Sequence, residues 1–319
     1  MSRRVKIPYH IPGGASGFLL MDVDTAGGVS MPTNATNASS SGGFSWTLGG
    51  MWGYGSPDNP SAGSYEIVIP TGVPLILAKG SGSGAGGAGG ASGSGAGGGG
   101  GGPAPQYDWL EIEIDPDTGA TITVVIGAVG TGGAIGSDGT DAGETYISAP
   151  SGILSPLFTS GKFSFGLGLK GKAGSGSTGG NSGGPAWSDS TKTIAYGTLN
   201  SGSAHAAKWL WTTDGNVFLP RQTPLVQGPG GRGPASAVAY GSVSVNGNGS
   251  GTAPAGNSTD GGGGGGGGSA VCRGGNGGDP SGPVAAQTGS GPGAGGGGGK
   301  GNQAGADGTL GYVVIMVPG

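Results

Sequence analysis

Charge is scarce in this chain: 13 Lys and Arg and 17 Asp and Glu in 319 residues, 9% in all, against about a quarter in an ordinary soluble domain. The net charge of −4 is spread thinly, and no basic patch is longer than Arg3-Arg4. Nucleic acid is therefore not an expected partner, since phosphate affinity comes from clustered Lys and Arg. Disordered chains usually carry high charge, whereas a nearly uncharged surface suits packing against other protein. Cys272 is the single cysteine, which excludes an intrachain disulfide framework. No apolar run approaches the ~20 residues of a membrane span, so no membrane insertion is expected. The basic stretch Met1–Pro8 has no apolar region after it; a secretory leader is unsupported and assembly in a cytosol is expected. No segment has the apolar period of an amphipathic helix. Apolar residues are 33% and aromatics 6%, enough for a thin core only.

What the chain has instead is glycine, 85 residues of it, with 22 prolines. Gly80 to Gly102 contains only Ser and Ala among its glycines, eight glycines run from Gly261 to Gly268, and five from Gly295 to Gly299. Looser glycine-rich segments lie near residues 127–143 and 166–184. Glycine loses the most conformational freedom on folding and buries no side chain, so flexible loops are the default for such composition. One regular structure suits it. The polyproline II helix has three residues per turn and leaves every N–H and C=O pointing outward. Without side chains to hold them apart, neighbouring helices can bond through their backbones and pair the polar groups that burial requires be paired. The runs lack the strict Gly-X-Y period and prolines of collagen. The expectation is a polyglycine II-type bundle resting on a scaffold.

The scaffold is expected to be β. Tyr65–Ile69 and Leu75–Ala78 read as strands around a Pro70-Thr71-Gly72-Val73 turn. After the first glycine run, Trp109–Ile114 alternates apolar and acidic residues, the mark of a strand with one face in water. Asp115–Gly119 is a turn, Thr121–Ile126 the next strand, and Glu144–Ile147 a closing one. Phe163–Leu169 alternates with period two, and Thr193–Tyr196 is placed to pair near it. Composition divides the chain into an N-terminal attachment segment (1–63), a glycine-rich β module (64–149), a β connector (150–226) and a second glycine-rich region with a closing strand (227–319). The connector carries an aromatic cluster, Trp209, Trp211 and Phe218. In the first segment Phe44, Trp46, Trp52 and Tyr54 gather among glycines, as a small aromatic core or as a docking face, where clustered aromatics carry interface energy.

Three stretches have a known arrangement: Pro70-Thr71-Gly72-Val73 before a glycine run, Asp117-Thr118-Gly119-Ala120-Thr121-Ile122-Thr123-Val124-Val125-Ile126-Gly127, and Gly143-Glu144-Thr145-Tyr146. Together they resemble glycine-rich modules of bacteriophage tail and fibre proteins, in which the second stretch is a hairpin. Gly308–Pro318 resembles the closing strand of such proteins. The resemblance covers residues 64–147 and the C-terminal third. It implies a virion protein, at a tail fibre or tail tip, in host recognition; a capsid or tail decoration or cement protein is the alternative. Implied partners are other virion subunits and a host cell-surface saccharide or outer-membrane protein, with homo-oligomer formation also open. In such adhesins glycine helices support exposed loops, and binding concentrates in loops on a rigid scaffold. That makes Pro103, Gln106, Tyr107, Asp279 and Pro280 the candidate receptor-binding residues, and Phe44, Trp46, Trp52 and Tyr54 the candidate attachment interface.

No catalytic chemistry is expected. Gly180-Asn181-Ser182-Gly183-Gly184-Pro185 resembles the nucleophile motif of trypsin-like proteases, but that chemistry needs His and Asp before the serine. Only His10 precedes it, in unrelated context, and His205 follows. Asp138, Asp141 and Glu144 suit calcium by type, yet solvated turn carboxylates are commoner. Gly274–Asp279 fits one turn of a calcium-binding glycine repeat that needs tandem copies. Lys300 follows five glycines, but Gly301 stands where a phosphate-binding loop needs Ser or Thr. No cofactor and no metal are expected.

Overall fold

The computed structural model describes residues 3–10, 16–23, 29–30, 46–92, 95–154, 161–175, 179–188, 193–195, 227–228, 261–269, 272–281 and 283–318. Every regular element among them is a strand, and no helix occurs. The chain forms two units, Met1–Leu48 with Met316–Gly319, and Gly49–Ile315. In the first, β1 (Arg3–His10), β2 (Ser16–Val23) and β3 (Val29–Ser30) form an antiparallel sheet in that order. Phe44 and the Trp209–Phe218 cluster lie outside the described residues.

Two larger sheets follow. One has the order β4 (Trp46–Gly53), β15 (Tyr312–Pro318), β6 (Leu75–Ser81), β7 (Gln106–Glu113). The other has the order β12 (Thr193–Ala195), β11 (Pro185–Ser188), β10 (Lys162–Gly168), β9 (Thr145–Ser148), β8 (Ala120–Ile126), β5 (Gly63–Ile69). A short antiparallel pair, β13 (Gln227–Gly228) and β14 (Gly268–Ser269), stands apart. Alternation builds the core as expected: Leu110, Ile112 and Ile114 are buried while Trp109 and Glu111 are exposed. Ile69, Ile76, Ile122, Val124, Ile126, Ile147, Val313 and Ile315 complete the inner layer. Tyr107, Phe163 and Phe165 close one side as three edge-to-face rings with centroids 5.2–5.9 Å apart.

The strands expected from Tyr65 to Leu169 are present, and β1, β4 and β11 form where none was expected, but two turns are not hairpins. The Asp115–Gly119 turn joins β7 to β8, which lie in different sheets: β7 pairs β6, and β8 pairs β5. The Pro70–Val73 turn likewise carries β5 across to β6. The two crossings run side by side, with Gly72 N–H donating to Pro116 O (2.7 Å) and Ile114 N–H to Pro74 O (3.0 Å). The sequence neighbours β5 and β6, like β7 and β8, thus lie in different sheets, and each pairs with a strand from beyond its own turn. Thr193–Ala195 pairs near Phe163–Leu169 as expected, in the same sheet with β11 between them.

The glycine segments leave the sheets and bond to one another every third residue. In 82–91, the N–H groups of Ala85, Ala88 and Ala91 donate to Gly102, Gly99 and Ala96 (3.0, 2.9 and 2.8 Å). Those of Gly84, Gly87 and Gly90 donate to Thr309, Ala306 and Gln303 (2.8, 2.9 and 2.9 Å), and those of Gly86 and Gly89 to Thr140 and Ser137 (3.1 and 2.9 Å). The carbonyls follow suit. Gly84, Gly87 and Gly90 accept from Gly130, Gly133 and Gly136, Ala85 and Ala88 from Gly296 and Gly299, and Gly86 from Gly171. Segment 82–91 is therefore surrounded by six others: 95–104, 127–136, 137–145, 168–175, 293–301 and 302–311. Segment 293–301 also has six neighbours, bonded to 82–91, 95–104, 261–268, 272–279, 284–290 and 302–311. The backbones are so close that a Cβ on Gly87 would lie 2.1 Å from Gly297 O, and one on Gly298 2.2 Å from Gly98 O.

Candidate functional site

Side chains in and around the bundle have three uses. At its foot, hydroxyls join it to the sheets: Ser83 Oγ donates to Gly127 O (2.6 Å) and accepts from Gly311 N–H (2.9 Å), and Thr145 Oγ1 accepts from Gly127 N–H (3.1 Å). Along its flank, carboxylates stand in for backbone carbonyls. Asp138 and Asp141, three residues apart, accept from Ala173 N–H (2.9 Å) and Lys170 N–H (2.7 Å), and Asp307 accepts from Gly132 N–H (2.7 Å). Glu144 pairs with Lys162, whose ammonium lies 4.1 Å from the centroid of the Tyr146 ring. Asp138, Asp141 and Glu144 thus serve as lateral acceptors and an ion pair, and no cluster of His, Cys, Asp or Glu suited to a metal occurs among the described residues.

The third use is at the far end, where the segments reverse. Reversals are closed by Ala91 N–H to Ala96 O (2.8 Å), Ser137 N–H to Ala134 O (2.9 Å), Asp279 N–H to Val284 O (3.0 Å) and Gln303 N–H to Lys300 O (3.0 Å). The ladders tie these turns into one surface: Gly136 N–H donates to Gly90 O (2.8 Å), Asn302 N–H to Ala91 O (3.3 Å), and Gly278 N–H to Gly298 O (3.0 Å). Exposed here are Ser92, Ile135 (49%), Ser281, Pro283, Val284 (44%) and Asn302. Asn302 has φ 56°, alone among described non-glycine residues in the left-handed region, a conformation asparagine tolerates in turns. Asp279 accepts from Ser281 Oγ (2.6 Å) and Ser281 N–H (2.9 Å), and Lys300 Nζ donates to Asp279 O (2.9 Å). Those two bonds from Ser281, aided by the Lys300 charge, hold the Asp279 carboxyl below the usual aspartate value.

The candidate receptor-binding residues therefore part company. Asp279 and Pro280, half-buried, are at the far end. Pro103, Gln106 and Tyr107 are at the foot and buried, which corrects their assignment to an exposed loop. The ladder of the returning segment continues through Gly102 and Ala104 N–H, which donates to Gly293 O (2.9 Å), and β7 starts at Gln106. Gln106 is 1% exposed, with Nε2 donating to Pro292 O (3.0 Å), and Tyr107 belongs to the buried ring trio. Of the attachment candidates, Trp52 is 5% exposed and belongs to the core, Trp46 is half-buried, and Tyr54 is 40% exposed with its hydroxyl accepting from Gly291 N–H (3.2 Å). Ser182 of the protease-like hexamer is buried in the bundle at 2% exposure. Sequence inspection missed Ile135, Val284 and Asn302, and weighed Lys300 only as part of a phosphate-binding loop. The available signal was their position as the few non-glycine residues between an outgoing and a returning run.

The chain matches no known protein family and no curated protein sequence.

Proposed function

We propose that this chain is a bacteriophage virion protein of a tail fibre or tail tip, in which a polyglycine II-type bundle carries a host-attachment surface at its far end. The three-residue bonding period of 82–91 and 293–301, each with six neighbours, supports the bundle assignment, since three residues per turn and outward-pointing polar groups belong to that helix. The observation that carries the functional reading is the convergence of reversals at one end, where exposed Ile135, Val284 and Asn302 sit on a support braced throughout by backbone bonds. Such bracing pre-organises a binding surface, which lowers the ordering cost of association. Apolar Ile135, Val284 and Pro283 with few charges suit an outer-membrane protein better than an acidic saccharide.

The test is binding of the purified chain to candidate host cells with competition against phage adsorption. Saturable binding that blocks adsorption is expected, with a tenfold or greater loss in the double variant Ile135→Asp, Val284→Asp and little change in Leu154→Asp, which is 60% exposed but outside the far end. A folded chain that ignores every host yet attaches to particles stripped of it sinks the attachment reading. It would leave the decoration or cement role, for which the low charge speaks.

A further inference from the structure

Among the described residues, the most exposed large apolar side chain is not at the far end. Val68 is 71% exposed, in β5, the terminal strand of the six-stranded sheet. Edge strands are normally blunted by lysine, internal proline, a bulge or a covering segment, because their open backbone groups template pairing with another chain. Apart from the single charge of Glu66, β5 has none of these among the described residues. Its register with β8 runs unbroken from Gly63↔Ile126 to Ile69↔Ala120, whereas the β6/β7 and β9/β10 pairs both carry register shifts. Its sequence, Ser64-Tyr65-Glu66-Ile67-Val68-Ile69, has no proline, no lysine and one charge. Among the described residues, no backbone bond reaches its outer edge. A short segment of high β propensity and low charge with an open edge is a pairing site.

We propose that the β5 edge is the interface of a two-fold dimer of this chain, formed by antiparallel pairing of β5 with β5 of a second copy. Self-complementarity selects that occupant. A two-fold at Ile67 sets Ile67 against its own equivalent, Val68 beside the aliphatic stem of Glu66 of the other copy, and Tyr65 opposite Ile69. It covers the exposed valine on both sides and keeps the two Glu66 carboxylates from standing directly opposite, an arrangement that destabilises a cross-strand pair. The self-complementary use of one patch is the rule for two-fold interfaces. Pro70, without an N–H, ends the pairing at one side. The two six-stranded sheets then become one continuous sheet. Because β5 runs away from the bundle, its start pairing with Ile126 just before the first bundle residue Gly127, the two bundles point in opposite directions. The pairing does not depend on what the far ends bind.

Sedimentation velocity of the full chain over a range of concentrations tests this directly. A monomer–dimer equilibrium is expected, with the dissociation constant raised at least tenfold by Val68→Lys and little changed by Ile135→Lys at the far end. Amide exchange supplies a second readout that a change in folding would not mimic: protection of residues 64–68 should rise with protein concentration while that of β8 stays constant. A chain that is monomeric at every concentration, or a dimer indifferent to Val68→Lys whose β5 amides show no concentration dependence, overturns the proposal.

Discussion

In most rows of the bundle interior even a methyl group has no room. A Cβ at Gly87 would stand 2.1 Å from the carbonyl oxygen of Gly297, which is fixed backbone and has no rotamer to yield. Gly87→Ala must force two backbones apart; a destabilisation of about 3 kcal/mol is expected, at the upper end of the usual overpacking range. Gly72→Ala makes a useful contrast. Nothing lies within 4 Å of its added Cβ, but φ is 86°, so only backbone strain opposes it, about 1 kcal/mol. Chemical denaturation of both variants checks the order. At the far end, the Ser281 bonds lower the pKa of Asp279 beneath 3.8. A folded value below the unfolded one means the turn is fully stabilised above about pH 4 and loses that support as pH falls through the folded value. An NMR titration should place the Asp279 midpoint below 3.8, and Ser281→Ala should raise it. Asp279 is only half-buried, so solvent screening keeps the effect on global stability small.

At the scale of elements, the sequence made the strands legible and left their partners dark. Trp109–Ile114 shows its two faces by alternation, because burial on one side is a local pattern. That β7 pairs β6 and not β8 is a matter of partner choice distant in sequence that no turn signal encodes: Asp115–Gly119 has the composition of a hairpin turn and makes a crossing instead. The glycine runs hide more, since identical residues cannot mark which face bonds to which neighbour. One row was readable. Ala85, Ala88 and Ala91 repeat every three residues, and they occupy a single bonded face toward 95–104. Counting direction would also have placed Gln106 and Tyr107 correctly, because 80–91 leads away from the sheet and 95–104 returns to it. The row has a consequence for deletions. Removing Gly86 moves Ala88 into the Gly87 position and Ala91 into the Gly90 position, where a Cβ lies 2.1 Å and 1.9 Å from backbone oxygens. Removing Gly262 from the eight-glycine run replaces glycine by glycine at positions 262–267 and brings Ser269 only to the end of the run. The first deletion should abolish soluble folded protein; the second should leave it folded with a modest loss in thermal midpoint.

For the whole molecule, the question is whether 85 glycines form the loosest part of the chain or among the tightest. Composition alone points to loose linkers, since glycine brings maximal backbone entropy and no apolar area. Position in the bundle points the other way. The amides of Ala85, Ala88, Gly296 and Gly299 are buried in segments bonded to six neighbours, and exposing them to solvent requires parting several backbones at once. Exchange of such groups should proceed only through opening of the larger unit, with protection near the global limit. Segment 284–290 is at the rim, where Val284, Ala285, Gln287 and Thr288 are exposed. Only a few backbone bonds hold it, among them Gln287 N–H to Asn276 O (2.9 Å) and Gly297 N–H to Gln287 O (3.0 Å). Hydrogen exchange read by NMR should therefore rank Ala85, Ala88, Gly296 and Gly299 with the core strand amides of Ile122 and Val124, and Ala285 and Thr288 several orders of magnitude faster. Uniformly fast exchange across the glycine segments, with protection confined to the sheets, would remove the bundle and with it the rigid support on which the proposed attachment surface depends.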